Sequence, residues 1–385
     1  MKKIIVPILC FFSLNNLIAQ TDSICHLSIS LLTCTPGAEL YSTFGHSALR
    51  VRDSTARIDI IYNYGTFDFD DPSFYSKFVR GKLLYFVSVE EFSNFIEAYT
   101  YEQRGITEQP LNLSCTEKDK LFLALQENAK EENKYYKYDF VSDNCTTRLR
   151  DIVFKNAGPV VTKDIRPAQK TSYRNLIHEY LNKSHQYWSK LGIDILMASP
   201  VDRRISNEEA MFLPDYLLKG FDSTRISSGP LVSGKSEILQ PALQNPKAPL
   251  LSPFALLSIL FLGMIALGFL KSTHRFFSVF DFILFFFSGA LGLLILFMWF
   301  GTDHPECKNN FNLAWALPLH FIVVFIFYKK WTWLKFYFLA NAILLALLLI
   351  SWKWLPQEMN NALLPIVGLL LVRSLMRYKK MSYAY

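Results

Sequence analysis

The stretch that decides the fold is residues 143–153, which read DNCTTRLRDIV. Asp143 is a favoured N-cap residue, and the apolar positions after it recur at helical spacing, so the stretch predicts a helix that runs to about Gly158. Cys145 then lies in the first turn, where unpaired backbone N–H groups, the positive end of the helix dipole and the charge of Arg148 stabilise a thiolate. We therefore expect Cys145 to be a reactive nucleophile. A cysteine that is buried or disulfide-bonded is the alternative.

A nucleophilic thiol needs a base, and His46 has the most suitable position among the histidines. Residues 44–51 read FGHSALRV and alternate with a period of two, which predicts a strand that has its apolar residues on one face and His46 on the other. His178 and His185 lie in a polar helical stretch that is typical of a solvated surface. A histidine held structurally beside a turn is the alternative for His46.

A catalytic histidine also needs a partner that fixes its tautomer. The next predicted strand, Ile58 to Tyr64, carries Asn63 and Asp59 on one face, and Asn63 directly precedes Tyr64-Gly65. We favour Asn63 as the orienting residue. Its alternative is a turn residue at the end of a strand.

Further short strands and helices surround these two stretches. Alternation predicts strands at residues 27–31, 47–51, 58–64 and 83–89. Helical spacing and N-cap signals predict helices at 71–78, 90–103, 114–133 and 143–158, and another that starts at Ser206. The mixed order of strands and helices indicates the α+β class.

The N-terminal part of the chain has the features of an exported domain. Residues 1–20 combine a basic start, a short apolar run and a small-residue exit, which together predict a signal peptide. The exported catalytic domain is predicted at 21–226 and a Ser-, Gly- and Pro-rich linker at 227–248. Export implies an oxidising compartment in which cysteines can form disulfides, and the sequence leaves their pairing open.

Residues 249–385 predict an α-helical transmembrane domain. A helix needs about 20 apolar residues to cross a bilayer. Five apolar runs, which we interpret as about five spans, lie at 249–270, 276–300, 311–328, 331–352 and 362–376. Asp281 lies near the inner end of the second run, and we expect it to reach solvent there. Arg373 of the fifth run is expected to snorkel to the same side.

The charges of the loops orient these spans. With the N-terminal domain outside, nine Lys and Arg residues lie on the inner side and two on the outer side, as the positive-inside rule requires. The predicted protein is thus a multi-pass protein of the cytoplasmic (inner) membrane, with a periplasmic N-terminal domain and a cytoplasmic C-terminus. The formal net charge of +7 comes entirely from residues 249–385, so we expect no nucleic-acid partner.

The order of these motifs resembles a known fold. The matching stretches are TCTPG at 33–37, YSTFGH at 41–46, YNYGTF at 62–67 and DNCTT at 143–147. They resemble the circularly permuted papain-like fold, related to NlpC enzymes, of lecithin:retinol acyltransferases and phospholipid-using N-acyltransferases. The whole chain is similar to the bacterial lipoprotein N-acyltransferase family Lnb, in which an exported domain precedes a membrane bundle.

The resemblance implies an acyltransferase that needs no cofactor and no metal ion. Its donor would be a phospholipid, its acceptor the α-amine of a diacylglyceryl-cysteine on an apolipoprotein, and its intermediate a thioester. The resemblance assigns Cys145 as the nucleophile and His46 as the base, while the orienting role of Asn63 is inferred from the permuted fold. Arg148, Tyr62 and His304, the last on the outer loop after the second span, are further candidates for substrate binding.

Two other functions fit parts of the same pattern. An NlpC-type cell-wall cysteine peptidase tethered to the membrane would use the same Cys and His chemistry, although it has no evident need for a five-helix bundle. A non-catalytic membrane scaffold would have Cys145 bridged or buried.

Overall fold

The computed structural model describes residues 25–242, 246–270, 274–329 and 331–382. The predicted signal peptide at 1–20 lies outside the described residues. The chain forms an N-terminal domain of strands and helices, followed by a helical C-terminal domain.

The N-terminal domain is built on an antiparallel sheet. Its strands are β1 (Leu27–Cys34), β2 (His46–Asp53), β3 (Ile58–Thr66), β4 (Leu84–Glu91), β5 (Ile106–Pro110), β6 (Tyr135–Lys137), β7 (Val161–Thr162), β8 (Thr224–Ile226), β9 (Gly229–Pro230) and β10 (Ser236–Leu239). Within the described residues, seven of them form one sheet in the order β10-β5-β1-β2-β3-β4-β6, and β7, β8 and β9 form a second, smaller sheet. The four predicted strands are confirmed, with bounds that shift by up to three residues.

Helices flank the sheet and follow it. Those of the N-terminal domain are α1 (Phe74–Val79), α2 (Phe92–Tyr101), α3 (Cys115–Asn128), α4 (Cys145–Asn156), α5 (Tyr173–Lys183), α6 (Tyr187–Leu196), α7 (Asn207–Ala210) and α8 (Pro214–Ser223). Those of the C-terminal domain are α9 (Pro253–Gly268), α10 (His274–Phe300), α11 (Leu319–Val323), α12 (Thr332–Ser351) and α13 (Leu364–Ser382). The capping boxes expected at Ser114 and Ser206 are both present.

The two faces of β2 enter two different parts of the core, as the alternation of its residues predicts. Leu49 on one face packs in a cluster with Leu149 and Val153 of α4. Ala48 on the other face packs with Phe95 of α2. Fully burying a leucine, valine or phenylalanine side chain contributes about 1.5–3 kcal/mol to stability. The helix that carries Cys145 is therefore fixed against the strand that begins with His46.

The linker starts later than its composition predicts. Residues 229–230 and 236–239 form β9 and β10, and β10 pairs with β5 at the edge of the large sheet. An edge strand forms backbone hydrogen bonds with only one neighbouring strand, so Ser, Gly and Lys are tolerated there. The composition of a segment therefore does not reveal that it pairs at a sheet edge, as β10 does with β5.

The C-terminal domain contains three helices that are long and apolar enough to cross a membrane, at Arg275–Phe300, Thr332–Ser351 and Asn361–Ser382. The predicted third span is broken into Pro305–Ala314 and Leu319–Ile326, which bend by 50°, and α9 is a shorter apolar helix. Proline lacks a backbone N–H, so Pro318 cannot continue a helix from the preceding turn. The described residues thus hold three candidate spans, or four if the bent pair is one, and the count of five remains a prediction.

Asp281 is not solvated, contrary to the expectation for this residue. It is 2% exposed and forms ion pairs with Arg373 and Arg377 of α13, at 2.6 and 2.5 Å. Arg373 is therefore turned into the bundle and does not snorkel. A carboxylate in a membrane helix is costly in free energy unless a positive charge pairs with it. The sequence does not indicate this ion pairing, because Asp281 and its two arginine partners are about 90 residues apart.

The two domains contact each other through polar groups. Asn360, beyond α12, donates a hydrogen bond to the buried carboxylate of Asp194 in α6 at 2.8 Å. Asn310 donates to the Ile195 carbonyl at 2.8 Å, and the Ala198 N–H donates to the Glu306 carbonyl at 2.7 Å. These contacts hold the N-terminal domain at the end of the bundle that contains residues 301–312 and 352–361.

Candidate active site

Cys145 begins α4, and its position depends on Asn144. Asn144, not Asp143 as predicted, is the N-cap: its Oδ1 accepts from the N–H groups of Thr146 and Thr147 at 2.8 and 2.9 Å. Its Nδ2 donates to the carbonyls of Phe140 and Phe212 at 2.7 and 2.9 Å. An aspartate would have no N–H groups to donate to these two carbonyls, which explains why asparagine caps the helix.

Asp143 has a different role. It forms a two-point ion pair with Arg148, at 2.6 and 2.8 Å, and the Arg148 guanidinium also lies 3.6 Å from the centre of the Tyr136 ring. The charge of Arg148 is thus balanced by Asp143, so the direct stabilisation of the thiolate by Arg148 that we expected is reduced. Arg148 does not line the cavity beside Cys145.

The structure brings Cys145, His46 and Asn63 together. His46 is the first residue of β2, and its ring lies close enough to the Cys145 thiol for each group to shift the pKa of the other. Its Nε2 lies 2.7 Å from Oδ1 of Asn63, on the neighbouring strand β3. Because Nε2 is occupied by Asn63, Nδ1 is the ring nitrogen available to the thiol. This is the arrangement of nucleophile, base and orienting residue that thiol catalysis requires.

Glu90 completes the chain of contacts, and the sequence analysis missed it. Nδ2 of Asn63 donates to Oε1 of Glu90 at 3.2 Å. A carboxylate can only accept, so this contact turns Nδ2 towards Glu90 and Oδ1 towards His46, and Nε2 of His46 must then be the donor. Asn63 lies opposite Ser88 of β4, and Glu90 is two residues further on the same face. The period of two in β4 was the available signal, but the strand register needed to use it is not visible in the sequence.

The pKa values distinguish Cys145 from an ordinary buried thiol. Burial raises the pKa of Cys145, but the charge of His46 and hydrogen bonds from His46, Thr146 and the Ser47 N–H outweigh it and lower the pKa to about 7. Burial likewise lowers the pKa of His46, but the charge and hydrogen bond of Cys145 and the contact with Asn63 leave it above its usual value. The two groups therefore favour a thiolate–imidazolium pair near neutral pH.

The other cysteines have different environments. Cys34 is completely buried, and burial raises the pKa of its thiol to about 12. Cys25 is exposed, and a hydrogen bond between Cys25 and Cys115 raises the pKa of Cys115. Cys145 is a free thiol.

Cys145, His46 and Asn63 line a cavity of about 450 Å³. Its wall is strongly aromatic and includes Phe67, Phe74, Phe78, Tyr85, Tyr99, Tyr138, Phe140 and Phe212. A polar part of the wall is formed by Arg104 and Glu102. Arg104 is 5% exposed: its Nη1 forms an ion pair with Glu102 at 2.7 Å, its Nε donates to the Thr35 carbonyl at 2.8 Å, and its Nη2 has no hydrogen-bond partner among the described residues. The cavity thus offers an apolar surface and, in the described part of the chain, a buried, unpartnered N–H donor of Arg104 near Cys145.

Helix α1 connects the cavity to the C-terminal domain. Phe74 and Phe78 of α1 line the cavity, while the carbonyl of Phe78 accepts from Nε2 of His304 at 3.2 Å. The next residue but one, Arg80, accepts a backbone hydrogen bond from Asp303 at 2.9 Å. His304 therefore contacts a helix that forms the cavity wall, and it does not itself line the cavity.

Two further predictions for site residues differ from the structure. Tyr62 is 3% exposed and packs in the core against Phe122, so the structure places it away from the cavity. Its position two residues from Tyr64 on β3 puts it on the core face. His178 is not on a solvated surface: its Nε2 lies 2.7 Å from the buried carboxylate of Asp194. The local sequence indicates neither contact, because Phe122 lies on α3 and Asp194 on α6, away from the residues that they contact.

The comparisons with known proteins agree with this division of the chain. The family model described as the Lnb N-terminal periplasmic domain matches residues 14–180, which include Cys145, His46 and Asn63. The model described as the Lnb transmembrane domain matches residues 244–383. The comparisons with curated proteins and with solved structures returned no match. Two consecutive domain matches that together cover most of the chain show that this multi-pass membrane protein belongs to the Lnb family.

Proposed function

We propose that this protein is a cysteine-dependent lipoprotein N-acyltransferase. It transfers an acyl chain from a phospholipid, through a thioester on Cys145, to the α-amine of a diacylglyceryl-cysteine on an apolipoprotein. The observation that carries the proposal is the placement of Cys145 beside His46, which is itself hydrogen-bonded to Asn63, at an aromatic cavity in a domain that is docked on a membrane bundle.

The first step forms the acyl-enzyme. The Cys145 thiolate attacks the carbonyl carbon of a donor ester, and the ester C–O bond breaks as the thioester C–S bond forms. His46, protonated in the ion pair, gives its proton to the departing oxygen, so the product is a neutral lysophospholipid hydroxyl. The backbone N–H of Cys145 at the start of α4 is the expected donor to the oxyanion.

The second step transfers the acyl group. The α-amine of the acceptor attacks the thioester carbonyl, and His46, now neutral, removes a proton from the attacking nitrogen. The C–S bond breaks, an amide forms, and the thiolate–imidazolium pair is restored. Asn63 keeps Nε2 as the donor throughout, so Nδ1 is the nitrogen that gains and loses the proton.

The cavity suits a lipid more than a peptide. Acyl chains gain free energy from contact with apolar surface, which the aromatic wall of the cavity supplies. Nη2 of Arg104, which has no partner among the described residues, is a free donor for a phosphate oxygen, although Glu102 balances the charge of this guanidinium. These features and the docked bundle favour the acyltransferase over a cell-wall peptidase, which would bind polar peptide and sugar.

The proposal includes the finer architecture predicted from the sequence. We infer a circularly permuted papain-like domain, because the strands of His46 and Asn63 precede the helix of Cys145 in the chain. We also infer about five spans in the inner membrane, with the C-terminus in the cytoplasm. Both substrates are then anchored in the membrane that holds the site, which raises their effective concentration.

The proposal is tested by the N-termini of lipoproteins in cells that depend on this enzyme. We expect Cys145→Ser and His46→Ala each to abolish N-acylation, and the double variant to be no worse, because nucleophile and base act as one unit. Cys34→Ser is the matched control, since this buried thiol should be dispensable. N-acylation near the wild-type level in Cys145→Ser, measured by mass spectrometry of N-terminal lipopeptides, would refute the proposal.

A further inference from the structure

A second cavity, of about 420 Å³, lies in the membrane domain far from the active site. Its lining residues come from α10, α13 and the segment between α11 and α12. Ser278 lies near the start of α10, whereas the loop that contacts α1 follows the end of α10 at Phe300. At about 1.5 Å per residue, these two ends are about 33 Å apart. The cavity therefore opens near the side of the membrane domain opposite the N-terminal domain.

The cavity has an excess of positive charge. Arg377, Lys329 and Lys380 line it, and no acidic residue does so among the described residues. Asp281 is the carboxylate that Arg377 contacts, but Arg373 contacts it as well, so one negative charge faces two guanidinium groups.

Arg377 retains hydrogen-bonding capacity towards the cavity. It is 8% exposed, and within the described part of the chain only its Nε has an acceptor, Oδ2 of Asp281. Its two Nη groups remain available for another anion. A buried cation without a full counter-charge is costly in a membrane domain, and an anionic ligand would remove that cost.

The remaining walls of the cavity combine interfacial aromatic rings with an apolar surface, which are the two surroundings that a phospholipid needs. Tyr328 is largely exposed and Trp331 about half exposed, and both carry the polar aromatic rings that prefer the interface between headgroups and acyl chains. Phe282, Val324 and Phe327 form an apolar surface beside them. A ligand that fits both parts has a phosphate at the basic end and hydrocarbon along the apolar side.

We propose that this cavity binds an anionic phospholipid from the leaflet opposite the N-terminal domain. Its phosphate contacts Arg377, Lys329 and Lys380, and its acyl chains lie along the apolar wall. Basic pockets between membrane helices on the cytoplasmic side are suited to lipid headgroups in this way. The lipid is a structural ligand that stabilises the packing of α13 on α10, and this site does not depend on the proposed acyl transfer.

The test uses the full-length protein in mild detergent, with phosphatidylglycerol as the anionic lipid and phosphatidylcholine as the zwitterionic one. We expect native mass spectrometry to find one retained phosphatidylglycerol and a weaker adduct of phosphatidylcholine. Binding to the native state should also raise the thermal unfolding midpoint. The double variant Lys329→Ala/Lys380→Ala should bind phosphatidylglycerol at least tenfold more weakly. It leaves Arg377 and its ion pair intact, so it should still fold.

The matched control removes two positive charges that do not line the cavity, in Lys353→Ala/Lys379→Ala. An equal loss of binding in this control would show general attraction to charge and would overturn the proposal. Glycerol phosphate that binds as tightly as the lipid would assign the site to a soluble phosphate and would also overturn it. Alkylation of Cys145 should be the same in both double variants, which separates this test from that of the acyl transfer.

Discussion

At the residue scale, Cys34 and Cys145 show how local electrostatics sets the pKa of a buried thiol. Cys34 lies directly opposite His46 in the pairing of β1 with β2, yet its side chain is buried in the core cluster that contains Phe95. Burial dominates there and raises the pKa of Cys34 to about 12. Cys145 is also surrounded by protein, but His46 and three hydrogen bonds outweigh burial and lower its pKa to about 7. Proximity to the histidine is therefore insufficient without a direct contact.

This difference predicts the pH dependence of alkylation. Only the thiolate reacts with iodoacetamide, so the rate at Cys145 should fall as the pH drops through about 7, whereas Cys34 should stay unreactive up to high pH. His46→Ala removes the charge and the hydrogen bond that lower the pKa of Cys145 most, so the midpoint should move upward by more than one unit. The measurement is peptide mass spectrometry after timed alkylation at a series of pH values. A midpoint that His46→Ala leaves near 7 would contradict this account.

Glu90 provides a second prediction at this scale. Glu90→Leu removes the acceptor that holds the Asn63 amide, so Asn63 can turn and the preference for the reactive tautomer of His46 weakens. We expect turnover to fall roughly tenfold, which is less than the roughly hundredfold or greater loss expected when a general base itself is removed. The alkylation midpoint of Cys145 should rise at the same time, an effect that a purely structural residue would not produce. Glu91→Leu, at the exposed neighbouring position, is the matched control and should leave both quantities unchanged.

The residues of the site were predictable where the signal was local. Cys145 at a helix start and His46 on an alternating strand each follow from a few neighbouring residues, and the structure places both in one cavity with Asn63. Glu90 and the cap role of Asn144 depend on strand register and on carbonyls from distant segments, which a single sequence does not display.

At the element scale, five of the six described strands that the sequence did not predict have four residues or fewer, and the sixth, β5, has five. β6 has three residues, and β10 is an edge strand of polar composition, so neither has enough alternating positions to show a period of two. The same limit applies to the membrane domain. Continuous hydrophobicity at 311–328 predicted one span, but the run does not reveal that Pro318 separates two bent segments.

The broken segment packs closely on α10, which predicts a specific sensitivity. A Cβ at Gly292 would overlap the carbonyl oxygen of Ala316 and approach the nitrogen of Pro318. Gly292→Ala should therefore destabilise the protein by about 2 kcal/mol, as overpacking of a tight contact does. Gly263→Ala on α9, where an added Cβ meets nothing within 4 Å, is the control. Thermal unfolding in detergent should show a lower midpoint for the first variant alone, and equal midpoints would exclude the close contact.

At the scale of the whole molecule, a buried polar network joins the two domains. Asp194 is 1% exposed and receives hydrogen bonds from Arg174 at 2.6 Å, His178 at 2.7 Å and Asn360 of the C-terminal domain at 2.8 Å. Buried carboxylates are stable only when their oxygens have such partners. The orientation of the active site relative to the membrane thus depends on specific contacts in addition to the linker.

This network predicts the effect of a single change of charge. Asn360→Asp replaces a donor with a second carboxylate facing Asp194, and the lost hydrogen bond to a charged group should cost about 2 kcal/mol. We expect faster proteolysis in the linker at 240–250 and a lower unfolding midpoint. Asn309→Asp makes the same substitution at an exposed position on the same side of the membrane domain. This control should change neither the rate of proteolysis nor the unfolding midpoint. Equal behaviour of the two variants would mean that the domains are not docked through Asp194.

The most direct test of the account is the covalent state of Cys145 in the full-length enzyme given phospholipid but no lipoprotein. The two-step mechanism predicts that the acyl-enzyme accumulates, because the amine that would remove the acyl group is absent. Peptide mass spectrometry should find an acyl mass on Cys145 that neutral hydroxylamine removes, and addition of an apolipoprotein peptide should transfer the same acyl chain to its α-amine. An active enzyme that carries the acyl group on another residue, or that carries none before the acceptor binds, would contradict the account.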